Sequence, residues 1–487
     1  MEWHKDKSPA ALVALSMIVT MAACDSGPST SAASNLNEAT PATEATEATE
    51  ATTASTATTP PSDGQTAAGQ PQFRAEPECG TYLGEGCAPE SDRIDVDPPT
   101  FSNPTEITNP LFPISELESA VLLGVVDDQP FRSETTLLPG TATVIVDGAP
   151  IEVLQSQYTA YLDGRITEVA IDRYAQADDG SVWYLGEDVY DYEDGTVVVS
   201  EGTWLAGRDG PAAMIMAAEP QVGQVFRPED IPGIVFEEVT IKEIGKTVDG
   251  PFGKVEGAIV AEELHLDGST SEKLFAPGYG EFYSAHEGDE EALSLAVPMD
   301  GESIPEPVEL AKLITGAWGL VESTRLEDWE AVDATLQRIR GNWSSLAEAS
   351  PVRVADTIDA ALATLTEAVA TQQPGPVNSA AADVAESALD LELRYRPVAM
   401  VDIGRFHLHA QQLRIDAAAA DASGVAAEVA TLEWIRDRIT GTLAADELAQ
   451  VDEKLAQLRT AVNTGNVAGA ADQAARLANL VRTLSSQ

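Results

Sequence analysis

Positive charge is scarce in this chain. Lys and Arg number 28 against 80 Asp and Glu, a formal net charge of -52 over 487 residues. A phosphate backbone needs a basic face, so this composition argues against nucleic acid as a partner. It argues equally against electrostatic docking on anionic lipid. The acid is spread along the chain and reads as solubility and self-repulsion. Cysteine is nearly absent, with three residues, and histidine has five: His4, His265, His286, His407 and His409. No Gly-x-Ser-x-Gly elbow, no His-Glu-x-x-His pair and no glycine-rich phosphate loop occurs. Glu187, Asp188, Asp191, Glu193 and Asp194 form an acidic cluster, but Asp191-Tyr-Glu-Asp-Gly is one residue short of a calcium loop. Strand alternation sends these carboxylates to opposite faces, so the cluster reads as a solvated strand end.

Long apolar runs are missing except for residues 10–23, an uncharged stretch preceded by Lys5 and Lys7. It is too short for a membrane span and suits the apolar core of an export signal. Ala22 and Ala23 precede Cys24. This resembles the bacterial lipobox, with Met21 where leucine is usual. The resemblance implies that Cys24 takes a diacylglycerol thioether and a further acyl chain such as palmitate. Two chains anchor a protein stably to the cell membrane. The expected location is extracytoplasmic. In that setting Cys79 and Cys87, a close pair spaced by Gly80, Gly84 and Gly86, are expected to form a disulfide.

The organisation that follows is a signal peptide over 1–23, a tether over 24–75, a β domain over 76–300 and a helical-repeat domain over 301–487. The tether is rich in Ala, Thr, Glu and Pro, and little in it can be buried. As a flexible coil it spans roughly 40 Å on average. In the β region, Asp147-Gly148, Asp163-Gly164, Asp179-Gly180 and Asp194-Gly195 recur as hairpin signals, and Asp249-Gly250 and Asp267-Gly268 continue the pattern. Between them the sequence predicts long strands over 151–162, 165–177 and 181–193. The apolar phase changes between Val153 and Tyr158, which predicts a bulge and a bent sheet.

After Pro305 the pattern becomes helical. Trp329, Val377, Val425 and Val467 open copies of one repeat at intervals of roughly 45 residues. Leu336, Val384, Leu432 and Ala474 follow at one shared position, and Ile339, Ser387, Ile435 and Leu477 at another. Pro351, Pro374, Pro376 and Pro397 mark connections, and about seven helices are expected. A lone amphipathic hairpin cannot bury its apolar stripe, so the copies must pack together. The fold class is a multidomain α and β chain. A curved antiparallel β-meander, tending to a half-open barrel, precedes an all-α helical-hairpin bundle or short solenoid.

Asp178-Asp-Gly-Ser-Val-Trp-Tyr-Leu-Gly-Glu187, Gly202-Thr-Trp-Leu-Ala-Gly-Arg-Asp-Gly210 and Phe275-Ala-Pro-Gly-Tyr-Gly280 are similar to segments of uncharacterised lipoproteins of high-GC Gram-positive bacteria. The similarity covers about residues 98–300. It implies an envelope location and no particular activity. The curved sheet also loosely resembles the half-barrels of lipoprotein carriers, an analogy of fold alone.

Two constellations carry candidate chemistry. Trp183, Tyr184, Tyr190, Trp204 and Tyr283 are a candidate ligand surface on a bent sheet; packing against the sheet's own cover is the alternative. His407 and His409 point about 200° apart on a helix and cannot chelate one ion. His409 shares a face with Asp402 and is the candidate metal ligand, against the simpler outcome of a histidine bonded to a carboxylate. No cofactor is indicated. The sequence therefore reads as a non-enzymatic, lipid-anchored binding or docking protein. Its partners are the membrane, through the anchor, and an envelope protein. Carriage of an apolar ligand by the β domain, and metal handling by the helices, are the alternatives.

Overall fold

The structure is a computed structural model and describes residues 86–484. Cys24, Cys79, the export signal and the tether lie outside the described residues. Three strands open the β region: β1 Ser119–Val126, β2 Gln129–Leu137 and β3 Ala142–Val146. Then come β4 Ala149–Leu162, β5 Arg165–Gln176, β6 Val182–Glu193, β7 Thr196–Val199 and β8 Trp204–Leu205. β9 Ala213–Met216, β10 Val225–Ile231, β11 Val235–Gly250 and β12 Gly253–His265 follow. β13 Thr270–Ala276, β14 Gly280–His286 and β15 Asp289–Val297 complete the set. All fifteen belong to one antiparallel sheet, ordered β10-β11-β12-β13-β14-β15-β1-β2-β4-β5-β6-β7; β3 joins β4, and β8 and β9 join β6.

The turns explain much of this meander. Asp147-Gly148, Asp163-Gly164 and Asp194-Gly195 place both residues at positive φ, as tight hairpin turns need. Asp127-Asp128 does the same without glycine, between β1 and β2, because the short polar Asp side chain tolerates the left-handed region. Asp249-Gly250 is not a turn: it ends β11, paired with Lys254 and Gly253. The register of β4 on β5 shifts at Ala160/Tyr161, nearer the strand end than the change in apolar phase suggested.

β1 reads Ser-Ala-Val-Leu-Leu-Gly-Val-Val, an almost continuous apolar run, because it is covered on both faces. Ala120 and Leu122 join the core on one side of the sheet. Val121 and Leu123 join a second core built with helices on the other. Gly124 sits on β1 opposite Glu291 of β15. A Cβ there would lie 1.8 Å from the Glu290 carbonyl oxygen. Gly124→Ala must therefore separate two backbones, and a loss of about 3 kcal/mol is expected in urea unfolding. An unchanged midpoint would show that the ladder yields at this point.

Eight helices follow, one more than the repeat suggested: α1 Val308–Arg325, α2 Trp329–Ser344, α3 Val352–Thr371, α4 Pro374–Glu392, α5 Val398–Ala419, α6 Ala422–Arg438, α7 Ala445–Asn463 and α8 Val467–Leu484. The four repeat copies begin in α2, α4, α6 and α8. All eight of their shared positions, from Leu336 and Ile339 to Ala474 and Leu477, are buried. Pro351 and Pro397 directly precede α3 and α5, and Pro374 and Pro376 occupy the first turn of α4, where a missing N–H costs nothing. Helices α1–α4 share one apolar core with β1 and β15. Helices α5–α8 share another. Among the described residues no helix is long and apolar enough to cross a membrane.

The helices are joined to the sheet by a buried ionic network. Arg132 and Glu134 on β2 alternate with Ser133 and Thr135, so their side chains leave on the helix side. Arg132 donates to Asp390 of α4 at 2.6 and 2.9 Å. Glu134 receives Arg438 of α6 and lies 3.2 Å from Arg405 of α5. Arg438 also donates to Gln157 and Thr159 on β4.

Candidate functional site

The other face of the sheet encloses a cavity of about 120 Å³. Alternation builds it. Inward-pointing Ser133, Ser156, Asp172, Glu187, Glu263 and Lys273 come from six strands, and Glu281 lines it from β14. The rest of the lining is apolar: Phe112, Ile114, Leu117, Leu122, Ile215, Met216, Phe226, Ile241, Phe275 and Tyr279. Part of that lining is the segment before β1, where Ile107, Leu111, Ile114 and Leu117 are buried. Asn109 ties it down, donating to Gly180 and Ala217 carbonyls at 3.2 and 3.0 Å. The space is about that of an engineered cavity that holds benzene. It fits a small apolar group, or one end of a longer molecule.

The polar groups in and around this cavity are unusual in their charge balance. Asp172 accepts from Tyr184 Oη at 2.8 Å and Ser156 Oγ at 3.2 Å. Neither oxygen of Glu187 has a hydrogen-bond partner, although the residue is 1% exposed. Glu229 accepts from Trp204 Nε1 at 2.7 Å. Glu291 accepts from Ser133 Oγ at 2.9 Å. Lys273 stands 3.2 Å from Glu281 and 3.6 Å from Glu263. One lysine cannot neutralise this set, and an isolated buried carboxylate is expensive. The acids respond by holding their protons. Burial, reinforced by the Asp172 charge, pushes Glu187 well above the carboxylate range. Burial and the Glu187 charge do the same to Glu229. Burial raises Asp172 to about 6, against the hydrogen bonds it accepts from Tyr184 and Ser156. Burial and the Glu281 charge raise Glu291 to about 7. Lys273 goes the other way: burial works to discharge it, but the carboxylates of Glu281, Glu263, Glu237 and Glu291 hold it cationic.

These shifts set a pH dependence. Glu291 ionises in the unfolded chain near its ordinary 4.5, and in the folded protein only near about 7. The stability it contributes is complete below the lower value and is lost as pH rises through the upper one. Asp172 acts in the same sense between 3.8 and about 6. Chemical unfolding is thus expected to become easier between about pH 5 and about pH 8, with a shallower decline for Glu291→Gln. Equal slopes for the two proteins would refute the assignment to Glu291.

The acidic cluster of β6 is thereby corrected. Asp188 does face outward, paired with Arg173. Glu187 is not solvated but belongs to the interior. The candidate aromatics are divided. Trp183, Tyr184 and Trp204 are buried in the sheet's core. Tyr184 stacks on Tyr174 at 5.0 Å and meets Trp204 edge-on at 5.4 Å, behind the cavity wall that Tyr174 supplies. Tyr190 packs on Trp434 of α6 at 5.0 Å, and Tyr283 reaches Glu290 at 3.4 Å, both on the helix side. His409 and Asp402 also lie on that side. His409 Nδ1 is 2.8 Å from Glu428, and its ring stacks on Tyr161. Asp402 accepts from Arg405 at 3.0 Å and lies 3.6 Å from Arg438.

Sequence reading set Glu187 aside as solvated, gave His265 no role, and missed Glu229, Glu237, Glu263 and Lys273. A signal was present. Glu237 shares the phase of Val239 and Ile241, Glu263 that of Ala261 and Ile259, and Lys273 that of Phe275. A charge in phase with a strand's apolar residues points where they point. No protein-family model matches the chain, and no curated protein matches it in sequence.

Proposed function

We propose that this chain is a lipid-anchored, extracytoplasmic binding protein that carries a small amphiphile inside its β domain. The observation that supports this reading is the mixed lining of the cavity. Apolar and aromatic side chains share it with carboxylates that outnumber their single lysine. A ligand with an apolar body and a basic or hydrogen-donating head matches both kinds of group. Binding pockets in general combine apolar lining with a few convergent polar groups. We read the sheet as wrapped into a half-open barrel, since β9, which joins β6, packs beside β10 at the far end of the strand order. We read the helices as two four-helix bundles that buttress its outer face and offer a surface to an envelope partner. The absence of a hydrolytic motif supports a role without turnover.

Purification of the lipidated protein from membranes, followed by native mass spectrometry and lipid analysis, tests the reading. A stoichiometric ligand bearing an amine or several hydroxyls is expected, and Glu187→Gln should weaken its retention. Protein that is always empty, and that takes up no cationic amphiphile in fluorescence titration, would end it. The anchor is tested separately. Cys24→Ser is expected to move the protein from the membrane to the soluble fraction, and a variant that stays with the membrane would remove the lipid from this reading.

A further inference from the structure

We propose that Glu237, Glu263 and His265 hold one divalent first-row metal ion, with Zn²⁺ the best match to their chemistry. The cluster is made by register. Glu237 on β11 stands directly opposite His265 on β12. Glu263 lies two residues before His265, so all three side chains leave the same face. Each is buried, and their ligand atoms all lie within 4.8 Å of one another. His265 Nδ1, the nitrogen that faces Glu237, is 3.7 Å from Glu237 Oε1. Donors bound to one zinc ion sit about 3.4 Å apart in a tetrahedral site. The Nδ1–Glu237 pair is already within a few tenths of an ångström of that spacing, and the widest separation in the set, up to 4.8 Å, closes by side-chain rotation of about 1.4 Å.

What points to a ligand is a deficit. Neither oxygen of Glu237 has a hydrogen-bond partner, and neither does Nδ1 of His265. Buried polar groups are nearly always paired, so orphans on facing side chains call for a shared partner. A bound cation satisfies both at once, since ionised Glu237 offers only acceptor oxygens and the unprotonated Nδ1 a lone pair. Lys273 does not supply it: its ammonium lies against Glu263 and Glu281. The surroundings suit a metal in a second way. His265 Nε2 is 2.9 Å from Ser271 Oγ, which is 3.4 Å from Glu263 Oε2. With Nδ1 free to bind, Nε2 carries the hydrogen and donates to Ser271, whose hydroxyl donates to Glu263. Such an outer hydrogen-bond chain fixes the tautomer and aims the imidazole. Half-buried His286 places its ring 6.0 Å from that of His265, giving the site a second imidazole on its solvent side. Two carboxylates and one imidazole leave a coordination position open, and that donor set suits Zn²⁺ or Mn²⁺.

The proposal does not rest on the ligand reading of the neighbouring cavity, although Glu263 borders both. The full chain, stripped with EDTA, is dialysed against Zn²⁺ at raised ionic strength to suppress loose surface binding. Elemental analysis is expected to find one equivalent per chain. Glu237→Gln and His265→Ala should lose it, His409→Ala should keep it, and Ser271→Ala, a positioning change, should bind about 10-fold more weakly. Titration of the unsubstituted protein with Co²⁺ needs no variant and should give visible d–d bands without a thiolate charge-transfer band. The proposal fails if the unsubstituted protein retains no metal, if Glu237→Gln and His265→Ala retain as much as it does, or if Co²⁺ yields only thiolate bands or none.

Discussion

Glu134→Ala is expected to cost about 3–5 kcal/mol of stability, because it removes one carboxylate from a buried network and leaves guanidinium groups behind. Glu134 is 1% exposed and is approached by Arg132, Arg405 and Arg438. Arg132 retains Asp390, and Arg405 retains Asp390 and Asp402. Arg438 keeps only Asp402 at 3.6 Å among acids, beside Gln157 and Thr159. It is the group most exposed to the loss. The double variant Glu134→Ala/Arg438→Ala should therefore cost less than the two single costs combined, which a double-mutant cycle in guanidinium chloride measures. A strictly additive result would mean that the two charges do not act together. The acid side of the stability profile belongs to this residue too. Burial would raise its pKa, but Arg132, Arg405 and Arg438 hold it well below 4.5. Its contribution is present above 4.5 and is lost as pH falls through the lower folded value, the reverse of Glu291. Two acids, on β2 and β15 with β1 between them, thus limit stability from opposite directions, because one meets arginines and the other meets acids.

Trp204→Ala is expected to cost a comparable amount, about 3–5 kcal/mol, through lost burial and the cavity left behind. The indole is fully buried and meets Tyr184 at 5.4 Å. Its chain neighbours cannot close in. Gly186 pairs with Leu205, and a Cβ on Gly186 would already lie 2.4 Å from the Trp204 carbonyl oxygen. The change also removes the donor to Glu229. Trp204→Phe separates the two effects, keeping most of the volume and losing the N–H, for about 1–3 kcal/mol. Added indole should partly restore the midpoint of Trp204→Ala, since dry apolar cavities bind ligands of matching shape. If Trp204→Ala costs less than about 1 kcal/mol, the ring is not acting as core and its place as a ligand platform is reinstated.

The strands β4, β5 and β6 were legible almost to the residue, because Asp-Gly pairs bracket them and two-residue alternation runs between. The repeat in the even-numbered helices was legible because its apolar positions recur at helical spacing. The first helix was not counted, since α1 lies outside the first recognisable copy, which opens at Trp329 in α2. The candidate sites were less legible. Trp183, Tyr184 and Trp204 were marked by their size, and the sheet distributes them by face and by the bend at Gly186, where φ is +121°. His409 was marked by a nearby Asp402. Its actual partner, Glu428, comes from the next helix.

What the sequence by itself determined is therefore local: the composition, the turns, the length and phase of the strands, and the period of the helices. Each depends on sterics and alternation within a few residues. What only the tertiary structure decided is which charges face which. Glu237 meets His265 because β11 and β12 pair in one register, and a slip of one residue would turn every side chain of a strand to the other face. Glu134 meets Arg438 across 304 positions of chain. Whether a buried carboxylate keeps its proton or is held ionised by cationic neighbours depends on the groups that this long-range pairing supplies. The sequence alone does not encode that at any short spacing.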